Sequence, residues 1–523
     1  MNVRVCTILF FLCAFLIARS QSCAAQAPER YWVLFKDKPQ AITATSLVSE
    51  TALQQRRLQH LPLSQSSDQP VHQVYLDSLA ALGIKVNSVS KWLNAAAVTV
   101  KNPAQISSLK QASFVQELRP ITGYFLPQQT SPFKPQFVSK ALTQLKPEAI
   151  FAAGLTGQGV KVGVIDAGFF EAPKKAGLKL IFEEGRLKAY RDFLEPSQSQ
   201  NFNKRESFLD SHGTDVLLCL GGSDPKDKVL SGFAPEADYY LARTDHGSRE
   251  ERIEEEYFVR ALEWMDSLGV RLVNSSLGYG TGFDKPEENY RPEQMDGSSY
   301  IARAVQMAVE QKGMMLIIAA GNDGGNKKWQ VVNTPADAAG VLTVGSTDFS
   351  SWTKQGYSSI GPTFLPYLKP DVVCFASSGT SFSAPIITGL AACLLEANPT
   401  LTPAQLTDIL RRSSHLYPYG NNFVGFGVPD AGKALELAQG SKVQIKAEAP
   451  IQVQGNRFVF RTREVGGISE NGGIVLFRKE SETRVMKQQK LSAHLKKIVV
   501  NRLPGETHTT LQVGPKVMEL VWQ

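Results

Sequence analysis

The strongest constraint on the fold of this chain is an alternation of strand-like and helix-like runs in its middle. Short apolar runs bounded by turn residues predict five strands, at 160–165, 238–241, 270–274, 314–319 and 340–345. Helix-periodic patterns predict five helices, at 212–220, 252–268, 298–312, 382–397 and 403–413. Strands that alternate with helices are typical of a parallel sheet with helices on both faces. The sequence therefore predicts an α/β core, with its site at the carboxyl ends of the strands.

Three polar residues at the ends of these runs suit acyl transfer to a serine. Asp166 ends the first strand, His212 begins the first helix, and Ser381 lies in a small-residue turn that leads into the helix at 382–397. Each one alone has an ordinary explanation, as a turn residue or a helix cap. Together they supply a nucleophile beside unpaired helix N–H groups, a base that titrates near neutrality, and a carboxylate that fixes the tautomer of that base.

With Asp166, His212 and Ser381 in this chain order, the sequence resembles the subtilisin-like serine proteases, or subtilases. The resemblance covers roughly residues 139–440 and includes Asn322, which follows the apolar strand at 314–319. It implies a subtilisin-like parallel sheet covered by helices on both faces. It also implies a serine endopeptidase that cleaves peptide bonds through an acyl-enzyme on Ser381 and needs no cofactor for this chemistry.

The resemblance further implies roles for the residues around the serine. Asn322 would donate its side-chain amide to the oxyanion, together with the backbone N–H of Ser381. Two stretches would bind the substrate backbone and line the groove: Ser276, Leu277 and Gly278, and Ala319, Ala320 and Gly321. The alternative for both stretches is an ordinary transition from strand to loop.

The chain departs from the family pattern in three places. Ala167 stands where Ser or Thr is usual after the aspartate, which should leave the geometry intact. Asp215 stands where a second histidine is common, and its charge should raise the pKa of His212 if the two are close. The segment 371–381 is shorter than usual before the nucleophile, which would loosen the support of Ser381.

Two other functions compete with the protease. A catalytically silent subtilase-fold protein, acting as a binding or structural module, is favoured only by the short segment before Ser381. An esterase with the same triad is disfavoured, because α/β-hydrolases carry the order Ser, Asp, His. The partners expected for the protease are protein or peptide substrates and its own propeptide as an inhibitor.

The first 25 residues predict a secretory signal peptide. Arg4 supplies the positive start, an apolar run follows at 5–18, and Cys23-Ala24-Ala25 offers small residues for cleavage. The alternative is a lipoprotein signal anchored at Cys23. No later stretch is apolar enough for a transmembrane segment, so we expect a secreted, cell-surface or periplasmic protein.

Three of the six cysteines remain after the signal, and their apolar surroundings predict buried free thiols. They are Cys219, Cys374 and Cys393.

Residues 26–125 predict a small α/β domain before the catalytic segment. The expected order is a strand at 31–35, helices at 47–61 and 71–82, a hairpin at 84–100 with Asn94 near its turn, a helix at 104–112 and a strand at 114–118. Its position resembles that of a subtilase propeptide, which assists folding and inhibits the protease until it is cleaved. The Pro-rich stretch 126–138 is the expected linker and maturation zone. The alternative is a permanent accessory domain.

Residues 441–523 follow the catalytic domain, which is expected at 139–440, and differ from it in composition. Short alternating runs at 442–447, 457–461, 473–477, 496–500 and 517–522 predict a small all-β, sandwich-like domain. Its role is left open among substrate or surface binding, export and stabilisation.

The distribution of charge argues against a nucleic-acid partner and suggests one possible calcium site. The formal net charge of +7 falls to +5 without Arg4 and Arg19, and no Lys/Arg tract predicts a nucleic-acid surface. The Glu-rich run 250–256 suggests structural calcium, but successive helical glutamates diverge whereas calcium needs convergent oxygens. A solvated helix start is the preferred interpretation, so no metal site is predicted and structural calcium has no clear motif.

Overall fold

The protein is described by a computed structural model that covers most of the chain. The residues described are 29–39, 47–121, 136–198, 202–203, 207–224, 229–230, 232–246, 253–280, 289–441, 448–462, 474–492, 494–514 and 516–523. The predicted signal peptide, most of the predicted linker and the expected strand at 442–447 lie outside these residues.

The N-terminal unit contains a four-stranded sheet in the order β2-β3-β1-β4. Its strands are β1 (Glu29–Phe35), β2 (Lys85–Ser90), β3 (Ala95–Val100) and β4 (Val115–Ile121). Helices α2 (Gln73–Ala81) and α3 (Pro103–Gln111) belong to this unit, whereas α1 (Glu50–Leu58) groups with the central region. β1 pairs antiparallel with β3 and β4, and Asn94 adopts a positive φ of 51° just before β3. The predicted small α/β arrangement is confirmed.

The central region is built on a seven-stranded parallel sheet in the order β13-β12-β11-β10-β5-β9-β6. Its strands are β5 (Lys161–Asp166), β6 (Leu187–Asp192), β9 (Asp238–Arg243), β10 (Leu272–Ser275), β11 (Met315–Ala319), β12 (Leu342–Thr347) and β13 (Val372–Phe375). A small antiparallel pair, β7 (Ser223–Asp224) and β8 (Val229–Leu230), lies outside this sheet. The five strands predicted from the sequence are confirmed and form the middle of the sheet.

Helices cover both faces of this sheet. They are α4 (Gln136–Leu145), α5 (Glu148–Ala152), α6 (Lys179–Glu183), α7 (His212–Gly221), α8 (Ile253–Ser267), α9 (Tyr300–Glu310), α10 (Ser383–Ala397), α11 (Pro403–Ser413) and α12 (Ala431–Ala438). Because side chains alternate across a strand, β11 sends Met315 and Ile317 into one core and Leu316 and Ile318 into the other. The five predicted helices are confirmed, and α4 begins inside the stretch expected to be linker.

The C-terminal region is a five-stranded sheet with a two-stranded ribbon packed against it. The sheet runs β14-β20-β19-β16-β17 and the ribbon is β15-β18. The strands are β14 (Ile451–Val453), β15 (Arg457–Arg461), β16 (Ile474–Lys479), β17 (Val485–Leu491), β18 (Lys497–Asn501), β19 (His508–Val513) and β20 (Lys516–Trp522). Phe460 and Ile498 of the ribbon share a core with Leu476 of the sheet, which confirms an all-β region.

Candidate active site

The C-terminal end of β5 and the start of α7 bring Asp166 and His212 together. His212 Nδ1 lies 2.7 Å from Asp166 Oδ1, and the two side chains are only 2% and 0% exposed. The same carboxylate oxygen accepts the backbone N–H of Ala167 at 2.8 Å. Two contacts therefore hold the aspartate carboxylate. The imidazole is bound through Nδ1, so its other nitrogen, Nε2, points away from Asp166.

Ser381 lies in the short 3₁₀ turn Thr380–Phe382 that leads directly into α10. Helix α7 packs against this turn, and the His212 ring lies 5.5 Å, centroid to centroid, from the ring of Phe382. The hydroxyl of Ser381 donates to the carbonyl of Ser276 at 3.4 Å. The structure thus brings the histidine and the serine turn together, with the serine hydroxyl turned towards the end of β10.

A chain of hydrogen bonds between side chains ends on the backbone carbonyl of Ser381 and holds it in place. Thr388 Oγ1, one turn into α10, donates to Asn274 Oδ1 at 3.0 Å. The amide of Asn274 donates to Ser276 Oγ at 3.2 Å, and that hydroxyl donates to the carbonyl of Ser381 at 2.8 Å. Because each group in the chain is buried, it fixes the serine turn to the neighbouring strand.

Asn322 is held by the residue that precedes the serine. Its Oδ1 accepts the backbone N–H of Thr380 at 2.9 Å and the Thr380 hydroxyl at 3.1 Å. A Cβ added to Gly379, whose φ is 151°, would lie 3.4 Å from Asn322 Nδ2. The amide therefore has a defined orientation, with its oxygen towards Thr380 and its nitrogen towards Gly379.

The two predicted substrate stretches lie at the ends of β10 and β11. The side chains of Leu277 and Ala320 belong to one hydrophobic core and that of Ala319 to the other. Gly278 is buried and Gly321 is partly exposed, with a φ of 103°. These stretches can therefore offer main-chain groups to a peptide, while their side chains serve packing.

Negative charges surround the imidazole of His212. Burial would lower the pKa of His212, but the charge and hydrogen bond of Asp166, together with the charges of Asp215 and Asp245, raise it. The expected influence of Asp215 is thus confirmed. Burial raises the pKa of Asp215 itself to about 6, although the histidine opposes that shift.

Asp245 is a site residue that the sequence did not reveal. It is fully buried two residues beyond β9, and neither of its carboxyl oxygens has a hydrogen-bond partner in the described part of the chain. Burial, and next the charge of Asp166, raise its pKa to about 8. The signal was weak because the predicted strand at 238–241 stopped two residues short of Arg243, which made Asp245 look like part of a distant loop.

Arg243 was also missed, and it connects the two segments that carry Asp166 and His212. Its Nε donates to the carbonyl of Ala167 at 2.9 Å, next to the aspartate. One terminal nitrogen donates to Asp210, two residues before the histidine, at 3.2 Å, and the other donates to Asp192 at 3.0 Å. A buried arginine can make these three contacts at once because its donors are arranged as a fixed fork.

The segment before Ser381, which was expected to support the serine loosely, is firmly held. It contains β13, which pairs in parallel with β12, and Ser378 and Thr380 are fully buried. At its start, Asp371 accepts hydrogen bonds from the Thr343 N–H at 2.7 Å and the Lys369 ammonium at 3.0 Å. The expected loosening of Ser381 is not what the structure shows.

The solvated helix start predicted for the Glu-rich run 250–256 is wrong for its described residues, and 250–252 lie outside them. Glu254, Glu255 and Glu256 at the start of α8 are all buried. The backbone N–H of His246 donates to Glu254 at 3.0 Å, and the hydroxyl of Tyr290 donates to Glu255 at 2.8 Å. Segments distant in sequence cover these carboxylates, and the described residues contain no group of three or more potential metal ligands.

One helical stretch in the described residues, Thr380–Ala397, is long and apolar enough to cross a membrane. It is 89% buried inside the protein, in the core beside the parallel sheet. The three cysteines expected to be free thiols are free and buried, as predicted.

The sequence of this chain matches known protein families. The profile described as "Subtilase family" matches residues 157–427, and "Peptidase S8 propeptide domain, Bacteroidota" matches residues 30–134. Subtilisin NAT of Bacillus subtilis subsp. natto is 27% identical over 358 residues, which cover 66% of this chain and 82% of that protein. Serine protease AprX of Bacillus subtilis is 28% identical over 323 residues, which cover 54% and 67% of the two chains.

Two solved structures share the fold at low sequence identity. The epidermin leader peptide processing serine protease of Staphylococcus aureus gives a TM-score of 0.53 at 15% identity, covering 80% of this chain and 100% of that one. Fervidolysin of Fervidobacterium pennivorans gives 0.52 at 16% identity, covering 92% and 70%.

Proposed function

Because the chain belongs to the subtilase family of serine endopeptidases, we propose that it is exported as a propeptide-inhibited precursor and cleaves peptide bonds through an acyl-enzyme on Ser381. The observation that carries this proposal is the buried 2.7 Å contact between His212 and Asp166, beside the turn that holds Ser381. Catalysis in this family needs no cofactor. The substrates are proteins or peptides.

The proposed proton transfer runs from Ser381 to His212. Asp166 accepts the Nδ1 hydrogen, so Nε2 carries the lone pair that takes the serine proton as the hydroxyl attacks the carbonyl. The hydroxyl then exchanges its long hydrogen bond to Ser276 for one to Nε2; such contacts commonly tighten only when substrate is bound. The raised pKa of His212 favours the imidazolium that this step creates.

The proposed oxyanion donors are the Asn322 amide and the backbone N–H of Ser381. A donor that is already oriented stabilises developing charge without paying for reorganisation during the reaction. The bonds from Thr380 to Asn322 Oδ1 supply that orientation. Main-chain groups of 276–278 and 319–321 would pair with the peptide in β-fashion, which suits a protease of broad sequence tolerance.

The proposed precursor has five parts. They are a signal peptide at 1–25, a propeptide at 26–125, a maturation zone at 126–138, the catalytic domain at 139–440 and the all-β region at 441–523. The propeptide match at 30–134 and the subtilase match at 157–427 support this division. The firm anchoring of the segment before Ser381 favours the protease over a silent subtilase fold.

The experiment that tests the proposal is labelling with a fluorophosphonate probe, together with casein cleavage. The wild-type protein should be labelled and active, and Ser381→Ala should be neither while remaining folded. Ser383→Ala is the matched control, because this serine lies two residues away and its hydroxyl donates to the Cys374 carbonyl at 3.3 Å. Labelling that survives in Ser381→Ala would place the nucleophile elsewhere.

A further inference from the structure

The ribbon β15-β18 has an inner and an outer face. Phe460 and Ile498 on its inner face are buried in the core that the ribbon shares with the C-terminal sheet. Because side chains alternate along a strand, the residues next to them point the other way and are exposed. Paired across the two strands, these exposed residues are Arg457 with Asn501, Val459 with Val499 and Arg461 with Lys497. We call these six residues the outer face.

The three cations of the outer face have no carboxylate partner among the described residues. Lys496, which is exposed beside the ribbon, has none there either. Four carboxylates of the C-terminal region are instead paired with other cations. These pairs are Arg478 with Glu506, Lys479 with Glu519, Arg484 with Glu480 and Lys516 with Glu448. The outer face therefore carries positive charge that its own region does not neutralise.

Like charges lie opposite each other at one end of the outer face. Arg461 and Lys497 are direct partners in the register of the two strands. Like charges at such positions repel and destabilise a strand pair, whereas a carboxylate at either position would stabilise it. A two-stranded ribbon has little stability of its own, so a face that served only stability would avoid this cost. The like-charge pair indicates that the outer face binds an anionic partner.

Apolar side chains lie among these cations. Val459 and Val499, which are 41% and 39% exposed, pair across the strands at the centre of the outer face. Leu495, which is 38% exposed, lies at the end of the ribbon, where its carbonyl accepts the Thr462 hydroxyl at 2.8 Å. Single exposed apolar residues are ordinary, but here three of them share one ribbon with four cations. The ribbon thus offers an apolar centre with a cationic rim.

We propose that the outer face docks the protein on an anionic lipid surface, with its three cations among the headgroups and its two valines in the layer beneath them. Such a surface attracts basic residues and also accepts apolar side chains just below the headgroups. Lysine and arginine reach the phosphates while their aliphatic stems lie along the apolar layer. A soluble polyanion, nucleic acid included, would satisfy the cations but leave Val459 and Val499 in water. The inference goes beyond the proposed function, because docking requires neither Ser381 nor cleavage of a peptide bond.

The test measures co-flotation of the protein with lipid vesicles. The chain begins after the predicted signal peptide, which would itself bind lipid, and carries Ser381→Ala so that self-digestion does not interfere. Vesicles of phosphatidylcholine are compared with vesicles in which about a third of the lipid is phosphatidylglycerol. We expect the protein to bind the anionic vesicles only, and to bind them more weakly as added salt screens the charges.

The triple variant Arg457→Gln/Arg461→Gln/Lys497→Gln examines the cations. It should bind anionic vesicles about 100-fold more weakly, because each basic residue near such a surface contributes about a factor of 5. Its melting temperature should stay level or rise, since the repulsion between Arg461 and Lys497 is removed. The matched control removes the same net charge from exposed lysines of the catalytic region that form no ion pair within the described residues, and it should bind like the parent protein. It is Lys327→Gln/Lys328→Gln/Lys433→Gln.

The double variant Val459→Ser/Val499→Ser examines the apolar centre. It should bind anionic vesicles about 5- to 10-fold more weakly, because less apolar surface leaves water when the face docks. Its binding to dextran sulfate, a soluble polyanion without an apolar layer, should equal that of the parent protein. These two measurements separate a lipid surface from a soluble polyanion.

Four outcomes would overturn lipid docking. One is a parent protein that does not float with anionic vesicles. Another is an equal loss of binding in the two triple variants, which would assign the effect to net charge instead of to the outer face. A double valine variant that floats like its parent would assign the face to a soluble polyanion. A lower melting temperature in the outer-face triple variant would assign its cations to the stability of the fold.

Discussion

Thr380 fixes the side-chain amide of Asn322 through two hydrogen bonds, from its N–H at 2.9 Å and from its hydroxyl at 3.1 Å. Both bonds end on Oδ1, so they determine which side of the amide carries the Nδ2 donor. The residue that does this is the immediate neighbour of Ser381. The proposed nucleophile and the proposed oxyanion donor are therefore positioned by one turn, and a disturbance of that turn should affect both.

Replacing Asn322 with Ala should lower kcat and leave KM nearly unchanged. The hydrogen bond to the carbonyl oxygen strengthens as that oxygen gains charge, so its loss is felt in the transition state. In subtilisin, removal of such a donor costs roughly 10²–10³ in kcat, and we carry that magnitude over. Steady-state kinetics on a peptide substrate, with the melting temperature as control, measures the effect. An unchanged kcat in a folded variant would remove Asn322 from the mechanism.

Thr380→Val should reproduce a smaller part of this loss. The variant keeps the backbone N–H that donates to Asn322 but removes the hydroxyl, so the amide loses one of its two supports. We expect kcat to fall about 5- to 10-fold, the equivalent of one net hydrogen bond. Thr380→Ser retains the hydroxyl and should keep most of the activity. Equal losses in the two variants would point to packing instead of amide orientation.

The acid limb of kcat/KM should lie above the ordinary histidine pKa and move when Asp215 is neutralised. Below its pKa, His212 is protonated and cannot act as base, and the nearby carboxylates raise that pKa. Asp215, whose pKa of about 6 lies below the midpoint of this limb, is largely ionised at that midpoint. Asp215→Asn should shift the limb to lower pH by about 0.3–1 unit. Asp408→Asn, an exposed change on α11, is the control and should shift nothing.

Replacing Asp245 with Asn should stabilise the protein, and more so at pH 8 than at pH 4. The folded-state pKa of about 8 lies above the unfolded value near 4, so the folded state binds the extra proton and wild-type stability falls as pH rises between these values. Because asparagine cannot ionise, the variant does not lose this stability as the pH rises. Thermal unfolding at the two pH values measures it, with about 2–4 °C expected for each kcal/mol recovered. A variant that is less stable at pH 8 would show that Asp245 has a favourable partner.

The difference between predicted and observed strands follows from burial. The strands found in the sequence are the inner ones, such as Met315–Ala319, where both faces lie against helices and every residue is apolar. The two strands missed in the seven-stranded parallel sheet form its edges. Leu187–Asp192 contains the exposed charged residues Lys188 and Arg191, and Val372–Phe375 has only four residues. Charges interrupt the apolar pattern of the first strand, and the second strand is too short to show an alternation of faces.

The positions of the proposed site residues were predictable where the residue ends or begins a recognisable element. Asp166, His212, Ser381 and Asn322 each lie at the end of a recognisable element, so the fold places them at one edge of the sheet. Arg243 and Asp245 reach the site because β9 pairs with β5, and neither segment alone indicates that pairing. The prediction that the glutamates of α8 are solvated failed for the same reason. Their hydrogen-bond partners come from loops that are distant in sequence.

The C-terminal sheet shares its core with the catalytic region, which predicts that it stabilises the protease. Strand β16 is buried on both faces: Leu476 faces the ribbon, whereas Val475 and Phe477 belong to the core beside the parallel sheet. Polar contacts accompany this packing, since Asn422 accepts the backbone N–H of Val485 at 2.9 Å and donates its own to the Thr483 carbonyl at 2.9 Å. The contact between the C-terminal sheet and the catalytic region is therefore packed like the interior of a single domain.

Phe477→Ala should therefore lower the free energy of unfolding of the whole catalytic region by about 3–5 kcal/mol, the usual cost of emptying a buried aromatic site. Unfolding is best followed in a Ser381→Ala background, so that self-digestion does not obscure the transition. Val459→Ala is the control, because this ribbon side chain is 41% exposed and should change stability by less than about 0.5 kcal/mol. If the C-terminal sheet folds independently, the catalytic region will unfold at the same point in Phe477→Ala as in Val459→Ala. A single transition that falls only in Phe477→Ala assigns the C-terminal sheet to the core of the protease.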